Sequence, residues 1–433
     1  MMTGRRFLLM HITTSSGHHR ASCAIEQTLK RLEPRARIVT VDAFQYTSRF
    51  VRWAISRSYL SLIRHQPDVW EYLYDNPGVH RRIQYLRVLL HRYQAGKLQG
   101  LLETVRPEAI ACTQAYPCGM VADFKKHHNL TIPLVGVLTD YAPHLYWFHE
   151  TVDAYVVPSE QVKQRFVMRG VDPGRVKVLG IPIDPKFLEA NNREATAREF
   201  GFDLTHPIIL IMGGGSGFGQ MQDIMLGIDI LPYPCQFVVI AGTNRALLAW
   251  LQGQRFRHRV VSLGYTQDIP RLMDIATLLV SKPGGLTTSE ALAKHVPLVI
   301  VNPIPGQEAY NARFLLSHGA AVQAGSPETV RQTVRDLLDN PDRLEALRRR
   351  NAELAHPSAA ADVARLLLEL ADGQGRSAEE RPRLGAFGSS PEPPPPNCVG
   401  GLAKDPPATL PWRSSARVVW RTPGRGGGSN PGP

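Results

Sequence analysis

Two histidines, His18 and His19, follow Gly17 in the stretch TTSSGHHRAS (13–22), where the apolar run FLLMHI hands over to a segment with helical spacing. The positive end of a helix dipole disfavours an imidazolium and leaves the ring available as a general base, although a polar first-turn residue is the plain alternative. Three further turns in the second half carry groups suited to an anion and to sugar hydroxyls. MGGGSGFGQ (212–220) exposes backbone N–H groups and lets the chain approach a ligand closely at Gly213, Gly214, Gly215, Gly217 and Gly219, as a phosphate loop or simply as a tight turn. It has neither the GxGxxG dinucleotide setting nor GxxxxGK[ST], which counts against NAD binding and ATP hydrolysis. SKPGGLTTSEALAKH (281–295) sets Gly284 and Gly285 after an apolar run and offers Thr287, Thr288 and Ser289 as helix caps. Glu290 then falls in the first turns of the next helix, where a carboxylate can accept bonds from a ribose diol or merely complement the helix dipole. NPIPGQEAYNARFL (302–315) adds Gln307, Glu308 and Asn311, whose directional bonds can discriminate hydroxyl geometry. Together the three turns describe a pocket for a nucleotide-diphosphate sugar. In the first half, LTDYAPHLYWFHE (138–150) supplies Asp140, His144, Trp147 and His149 at another strand end, each by default an ordinary buried side chain.

These turns need strands and helices to hold them. RFLLMHI, ARIVTVDAF, EAIACTQ, LVGVLTD, AYVVPS and VKVLGIPI alternate with helical segments, which implies a parallel sheet covered by helices. In the first helix, about His18 to Leu32, Ala21, Ala24, Ile25, Thr28, Leu29 and Leu32 share one face. The pattern restarts after a polar bridge, 184–206, with PIILIM, CQFVVIAGTN, RHRVVSLGY, ATLLVS and VPLVIV. The expected division is 1–183 and 184–373, two α/β domains, and 374–433, a disordered tail. The tail holds twelve Pro and ten Gly in sixty residues and cannot bury enough apolar surface to offset its chain entropy.

The chain has 433 residues and a formal net charge of +12, and 43% of it is hydrophobic, enough for sizeable cores. The charge is concentrated: residues 44–98 hold nine Lys/Arg against three Asp/Glu, and the tail eight against four. One basic face fits this better than a uniformly basic nucleic-acid binder, and no nucleic-acid motif occurs. Ten aromatic residues lie within 44–98, with Arg49, Trp53 and Arg57 on one helical stripe. Packed amphipathic helices explain this, as does docking on anionic membrane lipid, and both can hold at once. No apolar run approaches the ~18 residues of a membrane span. The five scattered cysteines, without CxxC spacing, suit a reducing, cytoplasmic setting, peripheral on the inner face of the cell membrane.

With those residues assembled, the chain resembles the diacylglycerol glycosyltransferases, that is, the monogalactosyldiacylglycerol synthases and the processive diacylglycerol glucosyltransferases. It is more distantly similar to the N-acetylglucosaminyltransferase that glycosylates lipid I. The matching pieces are GHHRASCAI, TDYAPHLYW, VPSEQVKQRFVMRGVDPGRVKVLGIPIDPKF, LIMGGGSGFG, AGTNRAL, KPGGLTTSEAL and PGQEAYNA, in that order, from about Phe7 to Ala371.

The resemblance implies an α/β protein of GT-B architecture: two Rossmann-like domains facing across a cleft, plus the tail. It puts UDP-galactose or UDP-glucose mainly on the second domain, with Gly214, Gly215 and Gly217 as phosphate loop, Gly284, Gly285 and Thr287 at the helix start, Glu290 on the ribose and Gln307 and Glu308 on the sugar. Asn244 and Tyr265, from AGTNRAL and GYTQDIPRL, belong to the same donor side. Diacylglycerol goes to the first domain, with Asp140, His144 and Trp147. Aligning Ala24-Ile25 without a gap makes His18 the base; a one-residue slip makes it His19. The implied reaction is inverting transfer of a hexose to diacylglycerol. No DxD triplet occurs, so no metal and no cofactor is called for. The rivals are transfer of N-acetylglucosamine to another lipid, a UDP-sugar 2-epimerase and a silent sugar-nucleotide sensor.

Overall fold

The computed structural model describes residues 4–12, 16–46, 96–214, 217 and 220–376. The apolar runs form two parallel sheets of six strands each. The first contains β1 (Arg6–His11), β2 (Arg37–Asp42), β3 (Ala109–Cys112), β4 (Leu134–Val137), β5 (Ala154–Val157) and β6 (Val176–Val178), in the order β2-β1-β3-β4-β5-β6. The second contains β7 (Ile208–Met212), β8 (Gln236–Gly242), β9 (Arg259–Gly264), β10 (Leu278–Ser281), β11 (Leu298–Val301) and β12 (Ala321–Ala324), in the order β12-β11-β10-β7-β8-β9. Runs without apolar alternation, such as IILIM and LLVS, become strands buried on both faces, whereas the edge strand β9 is only half-buried. Strand order reverses between β1 and β3 and between β7 and β10, and crevices for ligands open beyond the carboxyl ends of strands at such points.

The first helix runs from Gly17 to Leu32, capped by Ser16, whose hydroxyl accepts from the His19 N–H. Its buried face differs from the expected one: Leu32 is 43% exposed, while Ser22 and Glu26 are buried. Burial of the two polar groups is stable because each has partners. The Ser22 hydroxyl lies 2.9 Å from that of Thr113, and Glu26 accepts from Thr40 at 2.7 Å and from Lys30.

The helix Ala359–Arg376 returns to the first sheet, although its place in the chain had grouped it with residues 184–373. Val363, Ala364 and Leu367 are buried in one cluster with Phe7, Leu9, Ile25, Leu29 and Val135. Without it, that apolar face of the first sheet would meet water. The strand β12 and the helices Pro327–Leu338 and Pro341–Leu354 complete the second half. Among the described residues no helix is long and apolar enough to cross a membrane.

Candidate active site

His18 is the second residue of its helix, directly beyond β1. Its Nδ1 lies 3.0 Å from the Thr113 carbonyl oxygen and 2.7 Å from the Thr139 hydroxyl, at the ends of β3 and β4. A carbonyl only accepts, so Nδ1 carries the proton and Nε2 is the basic nitrogen. Burial holds the His18 pKa down, from 6.5 to about 4, against the opposing hydrogen bond to Thr113. Desolvation is thus the main cause that holds the ring neutral. Thr113 is itself fixed, its hydroxyl donating to the His18 carbonyl at 2.8 Å.

A small polar pocket brings His18 together with Gln114, Asp140, His144 and Trp147 of the first half and Gln307 of the second. Burial raises Asp140 from 3.8 to about 7, with the Glu308 charge adding to the rise and the Asn311 hydrogen bond opposing it. Burial pushes His144 down to about 3. His19 points elsewhere: its ring lies 4.5 Å from that of His11, and its Nε2 is 3.4 Å from the Cys23 sulfur. His149 serves the loop, its Nε2 lying 3.0 Å from the Tyr146 carbonyl oxygen.

Across the cleft, the helix Gly285–Ala293 begins against the first half. A Cβ on Gly285 would fall 1.9 Å from the Thr139 carbonyl oxygen, so only glycine fits. The N-cap is Gly284, with no side-chain cap. Thr288 and Ser289, expected as caps, are buried within the helix, Ser289 with its hydroxyl 3.3 Å from that of Tyr141; Thr287 is half-buried in its first turn. Glu290 is 1% exposed, and its Oε1 accepts from Arg20 Nη2 at 2.9 Å. Burial raises its pKa and Arg20 opposes the rise.

In the helix Gln307–Ser317, Gln307 lines the pocket, whereas Glu308 accepts from its own loop at the Ile304 N–H, 2.8 Å away. Asn311, read as a sugar-binding residue, is fully buried and occupied. Its amide donates to Asp140 and to the Pro283 carbonyl, each at 3.0 Å, and its Oδ1 accepts from the Tyr141 N–H at 2.8 Å. Tyr141 also stacks on Phe314, with centroids 4.3 Å apart.

After β7, Gly214 and Gly217 have φ of 70° and 58°. Asn244 caps the helix Arg245–Gly253 through the Leu247 N–H and donates to the Gly217 carbonyl at 3.3 Å, bracing the loop. Tyr265 is 65% exposed and lies near Arg20. Gly215, Arg49, Trp53 and Arg57 lie outside the described residues.

Sequence reasoning passed over Thr113, Thr139 and Arg20. The two threonines had a signal, since Thr113 directly follows β3, at the first reversal of order, and Thr139 lies two residues beyond the neighbouring β4. Arg20 had none, its partner being 270 residues away. Among the described residues no three His, Cys, Asp or Glu are grouped to hold a metal ion.

Two family models match the chain: monogalactosyldiacylglycerol (MGDG) synthase over residues 18–183, and the glycosyltransferase family 28 C-terminal domain over 208–363. The processive diacylglycerol beta-glucosyltransferase of Bacillus cytotoxicus is 32% identical over 277 residues, 63% of this chain and 70% of that one. Its namesake in Bacillus pumilus is 28% identical over 363 residues, 83% of this chain and 94% of that one. The crystal structure of Acinetobacter baumannii MurG superposes with a TM-score of 0.56 at 16% identity, covering 84% of this chain and 99% of that chain, a likeness of fold. The order and content of the turns, the two matched models and these relatives agree, and the chain belongs to the diacylglycerol glycosyltransferase family, with the two Rossmann-like halves of a GT-B fold.

Proposed function

We propose that this protein transfers glucose from UDP-glucose to the free hydroxyl of 1,2-diacylglycerol with inversion at the anomeric carbon, UDP-galactose being the alternative donor. Glucose is preferred because both relatives are named as glucosyltransferases, whereas the model named for galactolipid synthesis covers only the acceptor-side half. Inversion is supported by the β linkage in those relatives' names, since UDP-glucose carries its sugar as the α anomer. In the reaction His18 Nε2 takes the hydroxyl proton, the freed oxygen bonds to the anomeric carbon, and the bond from that carbon to the diphosphate breaks with its electron pair leaving on UDP. Backbone N–H groups at Gly213, Gly214 and Gly217 and at the start of the helix Gly285–Ala293 offset the charge on the leaving diphosphate. Glu290 binds the ribose, Gln307 and Glu308 the sugar, and Asp140, His144 and Trp147 the acceptor end of the cleft. Asn244 and Tyr265 complete the donor side, no metal or cofactor takes part, and attachment to anionic lipid is peripheral, on the cytoplasmic face.

The observation that carries this reading is His18, anchored through Nδ1 by Thr113 and Thr139, in a pocket lined from both halves. The test is incubation of the purified protein with diacylglycerol vesicles and UDP-glucose, UDP-galactose or UDP-N-acetylglucosamine, with lipid products weighed by mass spectrometry. Hexosyl-diacylglycerol from UDP-glucose is expected, and UDP release without diacylglycerol would instead support an epimerase. No glycolipid from any donor sinks the proposal.

A further inference from the structure

Glu290 is buried at 1% exposure, while the Arg20 side chain that caps it is 42% exposed. The two belong to opposite halves, Arg20 to the helix Gly17–Leu32 and Glu290 to the helix Gly285–Ala293. Arg20 lies off the buried face of its own helix, and its guanidinium reaches across the cleft to donate to Glu290 at 2.9 Å. We propose that Arg20, from the acceptor-side half, is a positioning residue for the donor: it keeps the Glu290 carboxylate ionised and directed so that a nucleotide's ribose diol can donate to it. This rests on the reading of Glu290 as the ribose carboxylate.

The charges around the pair support the assignment. Asp184, in the segment joining the halves, acts on both Glu290 and Arg20, and Tyr265 and Cys23 are the other titratable groups near Arg20. Burial and Asp184 both favour a protonated Glu290, and Arg20 is the opposing charge. A protonated carboxyl has lost part of its accepting capacity for a diol. Removing Arg20 therefore moves the Glu290 pKa further up, and donor binding weakens at neutral pH and returns as pH rises.

The experiment is calorimetric titration of the full chain with UDP from pH 6 to 9, for the wild type, Arg20→Lys, Arg20→Gln, Glu290→Gln and the double variant Arg20→Gln/Glu290→Gln. The wild-type profile carries the titration of UDP itself. Arg20→Gln is expected to bind at least about tenfold more weakly at pH 7 and to recover toward pH 9, and Arg20→Lys to stay within a few-fold of wild type. With UDP-glucose, the KM of Arg20→Gln rises more than its kcat falls. The double variant lacks the unpaired buried charge, so it folds even where Arg20→Gln does not, and it binds UDP as Glu290→Gln does, without the added pH dependence. Arg20→Gln binding like wild type at every pH, or losses of the two single variants that multiply in the double, overturns the proposal. A wild-type chain that binds no UDP overturns the parent reading and this one with it, whereas UDP binding unaffected by Arg20 overturns this one alone.

Discussion

His18 and His19 are adjacent in sequence, yet only one lines the pocket, and the difference is measurable. His18→Ala is expected to lower kcat by about 10²- to 10⁴-fold, the range for a lost general base, with His19→Ala retaining most of the turnover; equal losses would remove the distinction. The pH profile separates His18 from Asp140. A base with a pKa of about 4 stays unprotonated across the neutral range, so loss of His18 function belongs to pH values near 4. A limb of kcat/KM near pH 7 belongs to Asp140, raised to about 7, and disappears in Asp140→Asn. A limb that persists in Asp140→Asn would point to another group.

At the scale of elements, the turns of the second half approach neighbouring backbone so closely at Gly217 and Gly285 that a side chain has no room there. Gly285→Ala puts a methyl group 1.9 Å from the Thr139 carbonyl oxygen, which forces the helix Gly285–Ala293 away from the first half. Overpacking of this kind costs about 1–3 kcal/mol, and activity falls with it because Gly285 and His18 share that junction. Gly170→Ala is the control, in a turn that does not line the pocket: φ is positive, but a Cβ there meets nothing within 4 Å, so only the left-handed backbone penalty of about 1–2 kcal/mol applies. Thermal melts and turnover of the two variants check this, and similar losses of turnover in both would contradict it.

The whole molecule is held together by surfaces that sequence order does not bring side by side. Leu367 of the last helix is fully buried against the first sheet, so Leu367→Ala should cost about 2–5 kcal/mol in thermal or urea unfolding despite its distance from the cleft. Acid stability follows from three buried histidines. His11, His18 and His144 have folded pKa values of about 4, 4 and 3 against 6.5 unfolded. Their stabilising contribution is complete above pH 6.5 and is lost as pH falls toward 4, because the unfolded chain takes up protons first, and each tenfold difference in proton affinity between the two states corresponds to about 1.4 kcal/mol. Urea unfolding at pH 7, 6 and 5 measures this, and a stability unchanged between pH 7 and 5 would contradict the burial of these rings.

Strand identity, the two parallel sheets, the helix start at Gly17-His18 and family membership were all legible in the residues, because apolar runs, helical spacing and turn chemistry are local. The same local rules misjudged Leu32, which ends its helix at the surface, and Asn311, whose neighbours in the chain look like a sugar-binding turn while its partners are Asp140, Tyr141 and Pro283. Only the tertiary structure decided that His18 rather than His19 faces the pocket, that Thr113 and Thr139 orient it, that Arg20 holds Glu290, and that the last helix returns to the first sheet. Each of these depends on strands and helices far apart in sequence meeting where strand order reverses, and separations of 95, 121 and 270 residues leave no trace in the spacing of neighbouring side chains.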